Sequence, residues 1–311
     1  MAFALVFPGQ GSQSVGMMGG YGDSSVIRET FAEASEALGE DMWQMASEGP
    51  AERLALTVNT QPLMLTAGVA AYRAWRAAGG PKPALVAGHS LGEYSALVVA
   101  GALSFADAVP LVRFRAQAMQ EAVPPGAGAM AALMGLDIEE VHAVCFEAAQ
   151  GEVVEAANLN APGQIVIAGA KAAVARAMTL ATEKGAKRAV LLPVSAPFHC
   201  ALMKPAAERL RERLAVLKVS RPEIDVLNNV DVAVQDDPEK IRDALVRQAF
   251  SPVRWIECVT AMAARGVNRV IECGPGRVLA AMTRRISKDV EGGALHDAAS
   301  LEQMLAEVGK R

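Results

Sequence analysis

Gly88-His89-Ser90-Leu91-Gly92 restricts the fold more than any other stretch, because it follows an apolar run, Ala84 to Gly88, and precedes a helix-forming run, Glu93 to Ala102. A strand that turns at once into a helix needs small residues on both sides of the turn. The turn lifts the serine hydroxyl above the strand end, toward the positive end of the helix. Backbone N–H groups there, that of Leu91 included, can stabilise an oxyanion, each donor being worth roughly 3 kcal/mol. The same pentapeptide also suits an ordinary helix-capping serine, so the choice between the two readings falls to the rest of the chain.

On either side of this turn, short apolar runs alternate with helical periodicity. A strand is expected from Phe3 to Phe7, helices through about Leu38 and from about Pro62 to Ala78, and a strand from Ala84 to Gly88, the rhythm of a parallel α/β sheet. Ser104-Phe105-Ala106-Asp107 reads as a capping box opening a helix that carries Arg113, Arg115 and Met119, with a bend at Pro110. After Pro124-Pro125-Gly126 the texture changes. Met130 to Leu136, Glu139 to Ala149, a hairpin from Val153 to Ala168 turning at Ala161-Pro162-Gly163, Lys171 to Lys184 and Ala189 to Pro193 follow the order βαββαβ, which is ferredoxin-like. We therefore expect an α/β protein in which residues 1–125 and 195–311 form a large domain with a parallel sheet core and residues 126–194 form an inserted small domain. The large domain resumes with helix Pro205 to Leu217, strand Glu223 to Asn228, helix Glu239 to Ala249 and strand Arg269 to Ile271. Gly292-Gly293 reads as a hinge before a terminal helix capped by Ser300 and Gln303.

Composition narrows the function. With 311 residues and 52% hydrophobic content the chain can bury a large core, and a net charge of -4 offers no cationic face for nucleic acid. Its four cysteines, Cys145, Cys200, Cys258 and Cys273, include no C-x-x-C pair, which speaks against a zinc site or a redox dithiol and for a reducing cytoplasm. The first residues read as a buried strand rather than a secretion signal, and His89 and Glu93 interrupt the most membrane-like stretch, Ala84 to Leu103.

A serine nucleophile needs a base, and four histidines are available. His142, among acidic neighbours on a helix, and His296, in the tail, read as solvated surface residues. His89 adjoins the serine, where consecutive side chains diverge, and is given a supporting role. His199 follows Ser195-Ala196-Pro197-Phe198, a loop re-entering the large domain, and is the expected base. No acidic third partner presents itself.

Taken together, Pro8-Gly9-Gln10-Gly11-Ser12-Gln13, Gly88-His89-Ser90-Leu91-Gly92, the stretch Asn158 to Gln164, Pro197-Phe198-His199, Ser251-Pro252-Val253-Arg254-Trp255 and Glu272-Cys273-Gly274-Pro275-Gly276 closely resemble malonyl-CoA:acyl carrier protein transacylases, over about Phe3 to Ser287. The resemblance implies a hydrolase-like large domain, a ferredoxin-like insert and an active site between them. It implies Ser90 as nucleophile, His199 as base, the backbone carbonyl of Gln248 as the group orienting His199, and the amides of Gln10 and Leu91 as the oxyanion hole. Arg115 becomes the clamp for a malonyl carboxylate, a role its forked guanidinium suits, while its neighbour Arg113 reads as a surface arginine. Asn160 is expected at the substrate, and Phe198 is expected to crowd the α-carbon and favour malonyl over methylmalonyl. The implied reaction moves malonyl from coenzyme A to acyl carrier protein by ping-pong chemistry and supplies fatty-acid synthesis, with no metal and no resident cofactor, no membrane partner, and a monomer as the default state. Lys184, Lys187 and Arg188, or Arg284, Arg285 and Lys288, could dock the acidic carrier. Two rivals share part of the pattern. A lipase-like hydrolase normally adds an HGGG loop and an acidic triad member, and a carrier-binding module would have no use for Ser90, His199 and Arg115 together.

Overall fold

The computed structural model describes residues 2–309. Its strands are β1 (Ala2–Phe7), β2 (Leu85–Gly88), β3 (Gly128–Met134), β4 (Val154–Ala161), β5 (Gln164–Ala170), β6 (Arg188–Leu191), β7 (Asp225–Leu227), β8 (Val267–Cys273) and β9 (Glu291–Leu295). They form two sheets. One is parallel throughout, in the order β7-β2-β1-β8-β9; the other is antiparallel, in the order β4-β5-β3-β6.

Strand β1 lies at the centre of the parallel sheet, and its near-continuous apolar run is what a strand covered on both faces requires. Phe3, Leu5 and Phe7 join the layer containing Leu63, Phe31 and Val112. Ala4 and Val6 point the other way, toward Trp255, Val259 and Met282. In the antiparallel sheet the same alternation divides two environments. Leu133, Ile165 and Ile167 pack under the helices Ile138–Ala149 and Lys171–Glu183. Met130, Val166 and Ala168 face back toward the large core. A bridge ties β4 to the segment leading into helix Trp255–Ala264: Leu159 donates its N–H to the Val253 carbonyl, and Val253 donates to that of Ala157.

Several expectations change. Gly292-Gly293 is no hinge; both glycines lie within β9, paired with Val270 and Ile271 of β8. The reason is close approach, since a Cβ on Gly292 would fall 2.5 Å from the Ala280 carbonyl oxygen. The terminal helix, Ala298–Gly309, is capped by Asp297, whose Oδ1 accepts from the Ser300 N–H, while the Ser300 hydroxyl answers to the Asp297 N–H. Helix Thr57–Ala77 starts before Pro62, and helices Trp255–Ala264 and Val278–Ile286 occupy stretches where no element was expected. Thr57–Ala77 is buried around nearly its whole girth, so its apolar residues carry no clear period to mark a boundary. The helix Phe105–Glu121 continues through Pro110. Among the described residues no helix is long and apolar enough to cross a membrane.

Candidate active site

Strand β2 ends at Gly88, Ser90 takes a left-handed φ of 53°, and a helix begins at Gly92. Sterics explain both glycines. A Cβ on Gly88 would sit 1.8 Å from the Gly92 carbonyl carbon, and one on Gly92 would sit 2.0 Å from the Phe7 carbonyl oxygen. The elbow thus closes only without side chains at these positions, and Ser90 Oγ stands free at the carboxyl end of the parallel sheet.

His199, which also has a left-handed φ, 62°, meets it there. Ser90 Oγ lies 2.7 Å from His199 Nε2, although 109 residues separate them in the chain. His199 Nδ1 lies 2.9 Å from the backbone carbonyl of Gln248. Because a carbonyl only accepts, Nδ1 carries the proton and Nε2 is left as the acceptor facing the hydroxyl. Burial, then the cationic Arg115, then His89, push the His199 pKa down to about 3, so the imidazole is neutral across the ordinary pH range.

Arg115, 2% exposed, comes from the helix Phe105–Glu121. It donates to Gln61 Oε1 at 2.9 Å, Gln248 Oε1 at 2.9 Å and Ser90 Oγ at 3.2 Å. All three acceptors are neutral, and its Nε–H is buried without an acceptor. The Tyr94 ring lies 5.3 Å from the guanidinium carbon. A buried cation held only by neutral oxygens is poised for an anion. Arg113 differs from expectation: its side chain is only 16% exposed and is ion-paired with Glu40 at 2.9 Å.

The remaining candidates surround these groups. Leu91, 1% exposed, is the N-cap of the elbow helix, and its N–H and that of Gln10 have no backbone or side-chain acceptor among the described residues. The Gln10 side chain donates to Thr57 Oγ1, which contacts Ser195 Oγ at 3.1 Å. Asn160 of β4 sits 2.8 Å from His89 Nε2 and links the two sheets, which gives His89 its supporting place beside Trp255. Phe198 borders the same cavity of about 370 Å³, as do Met119 and Met130. His142 is exposed, as expected, but His296 is mostly covered and lies 2.8 Å from an Arg277 guanidinium nitrogen. A larger groove under β9, about 790 Å³, contains neither Ser90 nor His199.

Three residues of this centre escaped sequence reading: Gln61, which accepts from Arg115, and two more. Asn229 and Glu93 lie behind the elbow, both buried. Glu93 directly follows the glycine-serine motif, a position that could have marked it; nothing in Asn228-Asn229 set it apart from a turn. Burial raises the Glu93 pKa to about 7 against the pull of its hydrogen bonds. Among the described residues no cluster of His, Cys, Asp or Glu could hold a metal ion.

The profile of the family described as "Acyl transferase domain" matches residues 4–306. The chain belongs to this acyl transferase family. It is 54% identical to the malonyl CoA-acyl carrier protein transacylase of Escherichia coli K12, with 97% of this chain and 98% of that one covered. It is 44% identical to the protein of the same name from Bacillus subtilis 168, covering 96% and 95%. The crystal structure of acyl-carrier-protein S-malonyltransferase from Burkholderia pseudomallei superposes with a TM-score of 0.97 at 61% identity, covering 98% and 100%.

Proposed function

We propose that this acyl transferase moves a malonyl group from coenzyme A to the phosphopantetheine thiol of acyl carrier protein through an ester on Ser90, and so supplies fatty-acid synthesis. One observation carries the reading of an anionic acyl group: the buried Arg115 guanidinium, bonded only to neutral oxygens, stands 3.2 Å from the Ser90 hydroxyl. A carboxylate offers the guanidinium fork a full opposite charge and two acceptor oxygens where a hydroxyl offers one neutral oxygen, so a malonyl carboxylate draws the Arg115 donor off Ser90 Oγ as it binds. The substrate then frees its own nucleophile.

In the first half-reaction Ser90 Oγ attacks the thioester carbonyl while its proton passes to His199 Nε2, and the N–H groups of Gln10 and Leu91 hold the developing oxyanion. Coenzyme A leaves as the thiol, taking that proton. In the second, the carrier's thiol gives its proton to His199 and attacks the malonyl ester, and Ser90 Oγ leaves with the proton restored. The neutral, Nδ1-protonated imidazole supports both directions of proton transfer. Four free cysteines support a reducing cytoplasm.

For the carrier, the candidate cations differ in availability. Lys184 is already paired with Glu147 at 2.7 Å, and Arg285 is bonded to Gln164 and to the Pro162 carbonyl. Lys187, Arg188 and Lys288 are better suited to meet an acidic carrier.

Intact mass after brief mixing with malonyl-CoA is the direct test. A malonyl adduct is expected that disappears in Ser90→Ala and transfers to acyl carrier protein; steady release of free malonate instead would indicate a hydrolase, and absence of any adduct a binding module.

A further inference from the structure

Asn229 occupies a place the two half-reactions do not account for. It is 0% exposed and does not border the cleft, yet the hydrogen bonds of its side chain and of its own N–H all end on the elbow, while its carbonyl accepts from the Arg254 N–H at 3.4 Å. Its Oδ1 accepts from the Ser90 N–H at 2.8 Å, its Nδ2 donates to the Gly88 carbonyl at 2.8 Å, and its own N–H donates to Glu93 Oε2 at 2.9 Å. The same Glu93 oxygen accepts from the Gln248 side-chain amide at 3.0 Å, and that amide also donates to the Ser90 carbonyl. Gln248 in turn presents its backbone carbonyl to His199 and its side-chain oxygen to Arg115.

We infer that Asn229, anchored on Glu93, is a positioning residue that holds the Ser90 backbone in its left-handed conformation and keeps the hydroxyl in register with His199. The inference rests on Ser90 being the nucleophile of the proposed function. A non-glycine residue at φ near +53° costs on the order of 1–3 kcal/mol and persists only where its surroundings impose it. Asn229 supplies that constraint, since one planar amide grips the turn at two points, accepting from the Ser90 N–H and donating to the Gly88 carbonyl. The loop presenting it is itself held firmly. Val232, β-branched, has φ 55°, and Asp231 takes two hydrogen bonds from Arg247 at 2.7 and 2.8 Å. With the Ser90 N–H consumed in this way, the oxyanion falls to the donors at Leu91 and Gln10, where the proposed mechanism needs it.

Replacing Asn229 separates positioning from packing. In Asn229→Ala the rate of Ser90 acylation at saturation should fall about 100-fold, the cost of displacing a reacting atom by about 1 Å, with KM for malonyl-CoA within about two-fold of wild type. The same loss should appear with p-nitrophenyl acetate, a neutral ester read by release of p-nitrophenol. Asn229→Asp adds a signature that packing alone does not produce. A protonated Asp reproduces the amide, its carbonyl accepting from Ser90 and its hydroxyl donating to Gly88, whereas the ionised form loses that donor and repels Glu93. Its rate relative to wild type should therefore climb about ten-fold or more from pH 8 to pH 5.5, and it remains measurable if the alanine variant does not fold. Wild-type rates in these variants, or a pH profile for Asn229→Asp that tracks wild type, would overturn the inference. If wild type reacts with the ester yet forms no malonyl adduct, the malonyl reading fails while the positioning role still stands.

Discussion

The two walls of the cleft are built on different principles. On the parallel-sheet side, Ser90, His199, Arg115 and Gln248 hold one another by hydrogen bonds, and two of them keep left-handed backbones. On the antiparallel-sheet side the wall is Met130, Ala132 and Val166, relieved by Asn158, Asn160 and Gln164. Strain and buried polarity are concentrated where bonds would form and break; shape and apolar surface make up the facing wall. Substitutions on the first wall should therefore remove rate, with Arg115 there also selecting the anionic acyl group, and those on the second should alter how the rest of the acyl group is accommodated.

The largest effect tests the first wall. Ser90→Ala should remove acyl-enzyme formation altogether, a loss of at least about 10⁴-fold in turnover, read as absence of the mass adduct. Arg115→Ala should lower malonyl transfer by about 10²–10³-fold, the scale of removing one charged partner from a buried pair, while acetyl transfer changes little. Unchanged malonyl preference in that variant would break the division of labour, because selection would then lie wholly with the opposite wall.

Phe198 stands between the walls. Phe198→Ala should raise methylmalonyl relative to malonyl transfer about ten-fold, the usual weight of one methyl group in a packed site, in a competition assay with both thioesters. Asn160→Ala, which cuts the 2.8 Å tie from β4 to His89, should cost roughly ten-fold in kcat/KM.

The smallest effect is on stability. Glu272, 0% exposed, has one oxygen accepting from the Ala280 N–H at the start of helix Val278–Ile286 and the other without a partner. Burial raises its pKa to about 7, so folding favours the protonated form and its stabilising contribution is lost as pH rises from about 4.5 through 7. Glu272→Gln should therefore gain stability relative to wild type between pH 5 and pH 8, by on the order of 3 kcal/mol at most. Equal Tm differences at both pH values would show that the carboxyl is not held neutral.

Much of this was legible before any coordinates. The elbow could be read because its demand is local: two glycines around a serine between a strand and a helix leave few alternatives, and the Cβ clashes at Gly88 and Gly92 give the cause. The βαββαβ order could be read because each element showed its own period. Gly292-Gly293 misled because a glycine pair looks the same in a hinge and in a strand pressed against a helix. The helices Trp255–Ala264 and Val278–Ile286 stayed hidden since their apolar residues serve the sheet rather than a single clean stripe.

The amino-acid order alone determined the chemistry on offer: a serine at a strained turn, a histidine on a loop, an arginine on a helix, and a separate insert to cover them. Only the tertiary structure decided which imidazole nitrogen faces the hydroxyl, that the Arg115 charge has only neutral partners, and that Asn229 and Glu93 clasp the elbow from behind. The physical reason is range. Turn sterics and periodicity act over a few residues and leave their mark in the sequence, whereas hydrogen bonds between residues 109 or 139 apart leave none until the chain has folded.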